Sequence, residues 1–446
     1  MNKRARNALL TLTPLALAGA LVYTAQPAGA QGQLGDPKQA ALTAAGNTKG
    51  GKVSVLAVWG GSEQEAFLEI VKPFEDATGI KVEYEGTRDI NAVLTTRIQG
   101  GNPPDVAGLP SLGAVETFAK ENKLVALDGV LDMNAVRRDF GAGWLELGSY
   151  NNKLYGFFIT ADVKGLIWYN TKRYDGPKQP QTWNELMTWA KRTAASGKTP
   201  WCVGVESGAA SGWPGTDWIE NIFLRQSGPQ KYDQWYNGKL AWTSPEVKSA
   251  FQAFGEVVTD PKMVFGGPTA VLTTNFGDAG NPMFSNPPSC FLHHQASFIA
   301  DFFTKGNPGV KPVDDFDFFG FPNINAQFAG SIEAAGDMFG LYKDTPQSRA
   351  LVRYLSTAEA QSIWVKRGPK LSPNKRVPAS LYPNALSRRS AQIIANARAV
   401  RFDASDLMPA AMNQAFWKAI LEYVQNPSKL DAILQNLDKV RAEAYK

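Results

Sequence analysis

The sequence predicts an α/β protein of two doubly wound lobes, and three observations carry the prediction. Strands and helices alternate with short connections from Lys52 to Asp128, as in a βαβαβ unit with a parallel sheet. About 416 residues remain after an N-terminal leader, too many for one core, so two domains are expected. Two apolar runs, FFIT and LIWYN, flank a polar ADVKG, the pattern of a strand that leaves one sheet and enters another.

Residues 1–30 read as an export signal. Lys3, Arg4 and Arg6 make a basic start, an apolar run follows from Ala8 to Val22, and Ala28-Gly29-Ala30 is a small-residue cleavage site. Pro14 and that ending favour cleavage over an uncleaved anchor. No cysteine lies near the cut, so a lipoprotein is not expected. Residues 31–50 have little pattern and read as a flexible lead-in. The formal charge is +5. Three positive residues leave with the leader, which removes any electrostatic case for nucleic acid.

The first lobe opens with KVSVLAVWGG, a β-rich run that stops at two glycines. SEQEAFLEIVKPFEDATG follows as an amphipathic helix. Ser62 is placed as its cap, Glu65 completes a capping box, and Phe67, Ile70, Val71 and Phe74 form one stripe. Gly79 stops it, and Pro73 should kink it. IKVEYEG is the second strand, RDINAVLTTRIQGG a helix, DVAGL a buried strand and PSLGAVETFAKENKL a further helix, with VALD closing the unit. Ligands of such sheets sit at the mouth of the first βα turn, here Trp59-Gly60-Gly61-Ser62. Paired glycines let the backbone approach a ligand, and the Trp59 indole would offer a flat wall. The same residues also suit a tight turn with a core tryptophan.

In the second half, PQTWNELMTWAKRTAASG is a helix capped by Thr182, with Trp183, Leu186, Trp189 and Ala190 on its apolar face. The glycine-rich stretch after Cys202 reads as a loop ending at Asp217, which would cap a helix from Trp218. That gathers Trp213, Asp217 and Trp218 at one junction, with Trp213 as a ring-stacking residue. SPEVKSAFQAFGEVVTD is a helix capped by Ser244. A buried strand and a helical turn are expected around FLHHQASFIADFF. His293 and His294 are the only histidines; adjacent on a strand they face opposite ways and do not share one metal. The tail from Ser387 is helical, and Phe416, Ile420 and Tyr423 on one face should pack on the second lobe. The chain has two cysteines, Cys202 and Cys290. In an oxidising compartment they invite a disulfide, and otherwise they are two separately buried thiols. Of the 12 tryptophans, Trp59, Trp201, Trp213, Trp218 and Trp242 fall in Gly/Pro-rich surroundings. Loop aromatics of this kind suit the apolar faces of sugar rings.

Six segments then carry a resemblance when taken in order: VLAVWGGSEQEAFLEIVKPFEDATGIKVEYEG, IQGGNPPDVAGLPSLGAVETFAKENKLVALD, NNKLYGFFITADVKGLIWYN, PQTWNELMTWAKRTAASGKTPW, AAGDMFGLYKDT and GPKLSPNK. The chain resembles an extracellular solute-binding protein of a bacterial ABC importer, in the carbohydrate-binding family that includes maltose-binding protein. The finer likeness is to α-glucoside and oligosaccharide binders. The resemblance implies a type II periplasmic-binding-protein-like fold, with lobes joined by a multi-strand hinge and a ligand cleft between them. Lobe one would be 51–163 plus 334–368, and lobe two 164–333 plus 369–446. It places Asp162 at the first crossing, Gly336 and Asp337 at the return, and Lys370 at the cleft rim. Gln295 or His294 would follow the buried strand. Arg88, Asp89, Ser111 and Trp242 complete the candidate ligand-binding set. The implied partners are a sugar and the membrane permease subunits whose ATPase drives import. The implied protein is a periplasmic or extracellular monomer without a cofactor.

Two other classes compete. A secreted glycoside hydrolase needs two carboxylates across a cleft, for which Asp162, Asp217 and Asp337 are candidates. Their segments match a binding family, and G-x-S-x-G and H-E-x-x-H do not occur in a supporting context. A ferric-iron or polyamine binder on the same scaffold would want a Tyr-Tyr pair or several cleft carboxylates. No Tyr-Tyr pair occurs, and the candidate loops are not especially acidic.

Overall fold

Strand Lys52–Ala57 lies at the centre of the first lobe. It pairs in parallel with Lys81–Gly86 on one side and Val106–Leu109 on the other. Met338–Leu341 and Gly156–Phe158 extend the sheet antiparallel, giving five strands. The parallel half is the predicted βαβαβ unit, with helices Ser62–Thr78 and Ile90–Gln99 as crossovers. The structure, a computed structural model, describes residues 34–446, and the export signal expected at 1–30 lies outside the described residues.

Several expectations are corrected. Residues 37–45 are not a flexible lead-in: Asp36 caps helix Pro37–Ala45, whose Ala41, Ala44 and Ala45 are buried. It packs on helices Ser62–Thr78 and Pro346–Leu355. Small alanines let helices approach closely, a signal that composition alone reads as disorder. Ser62 is the first residue of its helix rather than the cap; Gly61 holds that place at φ 57°, without a side-chain cap bond. The helix runs through Pro73 to Thr78, and Gly79 ends it in the left-handed conformation. VALD is a turn into a 3-10 segment, tied to the sheet by the Val125 N–H to Leu341 O bond.

The second lobe holds an antiparallel sheet, Phe316–Gly320, Leu166–Asn170 and Leu292–Gln295. Trp201 adds a parallel bridge at Leu292. Helix Trp183–Ala195 is capped by Thr182, and Pro245–Val258 by Ser244. Cys202 and Cys290 form a disulfide with Cα atoms 5.5 Å apart. The core of this lobe collects Trp201, Trp218, Trp235 and Trp242. Phe416, Ile420 and Tyr423 of helix Ala410–Gln425 enter the same core.

Three chain segments pass between the lobes. The first runs from Phe158 through the short strand Asp162–Val163 to Leu166. The second runs from Ser331–Ala335 to Met338, and these two segments pair antiparallel. The third, after Arg367, exchanges two backbone bonds between Leu371 and Ala161, at 2.7 and 2.9 Å. Strand Ala399–Phe402 completes the hinge sheet beside Ser331–Ala335. Residues 371–374, assigned to lobe two from the sequence, bond instead to first-lobe groups: Ser372 Oγ to Gln361, and the Asn374 amide to the Ser356 carbonyl.

Phe416 is fully buried, with ring centroids 4.8 Å from Trp242 and 5.6 Å from Trp235. Phe416→Ala should destabilise the protein by about 3–5 kcal/mol, read as a fall in the guanidinium midpoint. A loss below about 1 kcal/mol would show that the tail does not belong to the core.

Candidate functional site

The cleft lies between the lobes with the hinge segments as its floor. Extended backbone puts Asp162 and Lys164, two residues apart, on the same face, and both side chains border the cleft. Their partners come from distant chain. Lys370 Nζ lies 2.8 Å from Asp162, 3.4 Å from Glu63 and 3.7 Å from Asp337. Lys164 Nζ lies 2.7 Å from Asp217 and 3.0 Å from Asp403. Arg88 closes a third pair with Glu63 at 2.9 Å.

Apart from the partly exposed Arg88, these charges are buried, and burial competes with pairing in several of them. Burial raises the Asp162 carboxyl to about 6, against the opposing pull of Lys370. It raises Asp217 to about 7, again against its lysine. For Glu63 burial also acts upward, but Lys370 and Arg88 outweigh it and hold the group below its ordinary value. Burial alone would lower Lys370; Asp162, Glu63 and Asp337 raise it instead, so it stays charged. Behind Lys164, the carboxylates of Asp217, Glu333 and Asp403 approach within 4.8 Å of one another. The lysine ammonium occupies the position a cation would take between Asp217 and Asp403.

Both lobes cover the cleft. Lys305 of the second lobe bonds Glu65 of the first at 2.7 Å, and Arg367 of the first lies 3.7 Å from Asp301. The Arg88 guanidinium stands 5.1 Å from the Phe276 ring of the opposite lobe. The arrangement is a closed clamp, with polar groups of both lobes turned inward.

Of the sequence candidates, Arg88, Ser111, Asp162, Trp213, Asp217, Gly336, Asp337 and Lys370 border this space. Lys370 is not at a rim; it is 4% exposed on the floor. Trp213 is half-buried, with its ring 5.0 Å from Lys164 Nζ. It also begins a helix, Trp213–Tyr236, so Asp217 lies within that helix and does not cap Trp218. Pro214 in the first turn signals that start.

The other candidates are corrected. Trp59 touches the cleft edge but is 0% exposed, its faces covered by Phe67, Phe339 and Trp364. Its Nε1 donates to Asp337 at 3.1 Å, so it holds a floor carboxylate rather than a sugar ring. Trp218 and Trp242 lie in the second-lobe core. Glycine-rich backbone there wraps around indoles instead of displaying them. Gln295 is buried, and its Oε1 accepts from the Ala296 N–H. His294 is buried against Trp218. Gly60, Gly61, Ser62 and Asp89 do not border the cleft. Sequence reasoning missed Glu63, Lys164, Ser207, Asp403, Asp406 and Trp417, which do. The two-residue spacing from Asp162 was the available signal for Lys164. Asp403 carried none, because its partner is far away in sequence.

Residues 60–362 match the bacterial extracellular solute-binding protein family. A relative named osmoprotective compounds-binding protein GgtB, from Synechocystis, is 38% identical over 84% of this chain and 88% of its own. The alpha-glucosides-binding periplasmic protein AglE of Rhizobium meliloti is 35% identical over 86% and 85%. The crystallised bacterial solute receptor AcbH superimposes with a TM-score of 0.77 at 18% identity, covering 89% of this chain and all of its own. Maltose-bound MalE3 of T. maritima does so at 0.67 and 17%, covering 88% and 99%. The fold is that of type II periplasmic binding proteins. The chain belongs to the bacterial extracellular solute-binding protein family, whose members are binding proteins.

Asp162 supplies a pH test. Its folded value is raised, so between about pH 4 and about pH 6 the native state holds a proton the unfolded chain has lost. Its contribution to stability is therefore greatest at low pH and declines as pH rises. The stability of the wild type relative to Asp162→Asn should fall by about 2 kcal/mol from about pH 4 to about pH 7, measured by chemical denaturation at each pH. A flat difference would contradict the assignment.

Proposed function

We propose that the protein is the sugar-capturing component of an ABC importer. It would take an α-glucoside or small oligosaccharide into the cleft, close around it and deliver it to a membrane permease. The observation that carries this reading is the cleft itself. Charged hydrogen-bonding groups of both lobes and the Trp213 indole border one space between the lobes, in a chain similar over most of its length to an α-glucoside binder. Carboxylates and ammonium groups already fixed by one another present oriented acceptors and donors to hydroxyls, while an indole covers a ring face. Lobe closure follows when the ligand bonds to both walls. We further propose export by a cleaved leader, residence outside the cytoplasm and a monomeric state.

Binding without catalysis is favoured over glycoside hydrolysis by the state of the cleft carboxylates. Asp162 is held by Lys370 and Ser297, Asp217 by Lys164, and Asp337 by Trp59 and Thr160. A hydrolase pair needs one carboxyl free to give up a proton and another free to attack or to activate water.

A thermal-shift screen of leader-free protein tests the reading against maltose, trehalose, sucrose, maltotriose and cellobiose, with spermidine and ferric citrate as controls. A tight ligand at hundredfold excess over its Kd adds about 2.7 kcal/mol, and the sugar should be recovered intact. Recovery of cleaved sugar would favour the hydrolase, and a shift with spermidine or iron alone would reject the carbohydrate assignment.

A further inference from the structure

Arg88 stands at the edge of the cleft with partners in different lobes. Its Nη2 donates to Glu63 Oε2 of the first lobe at 2.9 Å. Its guanidinium carbon lies 5.1 Å from the centroid of the Phe276 ring of the second lobe. A planar guanidinium can serve both at once, with an edge for the carboxylate and a face for the ring. Both partners are themselves fixed. Glu63 is buried and also lies 3.4 Å from the Lys370 ammonium at the hinge. Phe276 is buried, with ring centroids 5.0 Å from Trp213 and 5.5 Å from Phe302.

The second-lobe wall is braced from behind. The Phe276 N–H donates to the Glu206 carbonyl at 3.0 Å. The Glu206 carboxylate accepts from the Asn275 amide at 2.7 Å and from the Gly208 N–H at 2.6 Å. These bonds join residues 206–208 and 275–276 into one wall. Gly208, at φ 58°, passes the Arg88 stem so closely that a Cβ there would stand 4.0 Å from Arg88 Cβ. Two second-lobe segments thus meet Arg88 while it is anchored to the first lobe. A rotation that opens this edge of the cleft draws the guanidinium off the ring. Phe276 does not border the cleft, so its ring acts on a bound ligand only through Arg88 and the wall.

We propose that Arg88 is a positioning residue that straps the lobes together, anchored on Glu63 and closed on Phe276. The inference rests on the clamp reading above and adds a contact that sets affinity from outside the ligand. A ligand that binds the closed lobes better gains whatever the strap contributes to closure. Its loss acts on release more than on capture, because the contact must part before the ligand leaves. Lysine is no substitute: an ammonium can pair with Glu63 but has no plane to lay on the ring at the same time.

Calorimetric titration and stopped-flow release with maltose, trehalose and sucrose test this on the leader-free wild type, Arg88→Lys, Phe276→Leu and the double variant. Phe276→Met takes the place of Phe276→Leu if the leucine variant does not fold. For a sugar that the wild type binds, each single change should raise Kd by about threefold to tenfold, mainly through faster release. The double variant should bind no more weakly than the weaker single one, because both changes remove the same contact. An unchanged Kd in the Phe276 variant would overturn the strap and leave the sugar reading standing. So would single effects that multiply in the double variant. If the wild type binds no sugar, the sugar reading falls, and small-angle scattering of the ligand-free proteins decides the strap alone. A larger radius of gyration in both single variants than in the wild type would support it, and equal radii would overturn it.

Discussion

Lys370 carries its ammonium to the place where the three interlobe segments meet, and the cleft is arranged around that buried charge. Asp162 comes from the first crossing, Asp337 from the second and Lys370 from the third, while Glu63 comes from the start of the first-lobe helix. A buried cation must be matched by nearby acceptors, so the ammonium fixes where the hinge strands run relative to the first lobe. Its neighbours are constrained in turn. Trp59 and Thr160 hold Asp337, Ser297 holds Asp162, and Arg88 holds Glu63. Removing the lysine alone would leave three buried acids without their shared countercharge, with Glu63 alone keeping a cation in Arg88.

The same logic repeats on the second-lobe side. Lys164 binds Asp217 and Asp403, and deeper in, Glu220 accepts from the Ala404 and Ser405 N–H groups. The two lysines thus organise two polar clusters, one toward each lobe, with the hinge sheet between them. A ligand reaching both clusters is held by groups that move together only when the lobes move together. On the proposed function, that would couple binding to closure through ordinary hydrogen bonds.

Legibility from sequence followed locality. Helix Trp183–Ala195 and its Thr182 cap, the strand at Leu292–Gln295 and the pairing of Cys202 with Cys290 were readable because their determinants sit close together or are rare. The tail was readable because Phe416, Ile420 and Tyr423 share one helical face. The site was half legible. Asp162, Asp337 and Lys370 stand in segments with a family likeness, but their mutual pairing joins residues as much as 208 apart. The tryptophans misled because Gly/Pro-rich surroundings mark irregular backbone, and irregular backbone can bury an indole as well as expose it. Trp59, Trp201, Trp218 and Trp242 are buried, Trp59 meeting the cleft only at its edge, and Trp213 is the one of the five that is partly exposed. Trp417 was passed over because it lies in a regular helix whose neighbours are core residues.

On the proposed function, a sugar held between the lobes stabilises the closed form. Small-angle scattering of the leader-free protein, with and without a sugar that calorimetry shows to bind, tests it directly. The account predicts a smaller radius of gyration at saturation, with the sugar-bound curve matching the closed structure. An unchanged radius with ligand demonstrably bound would contradict the clamp.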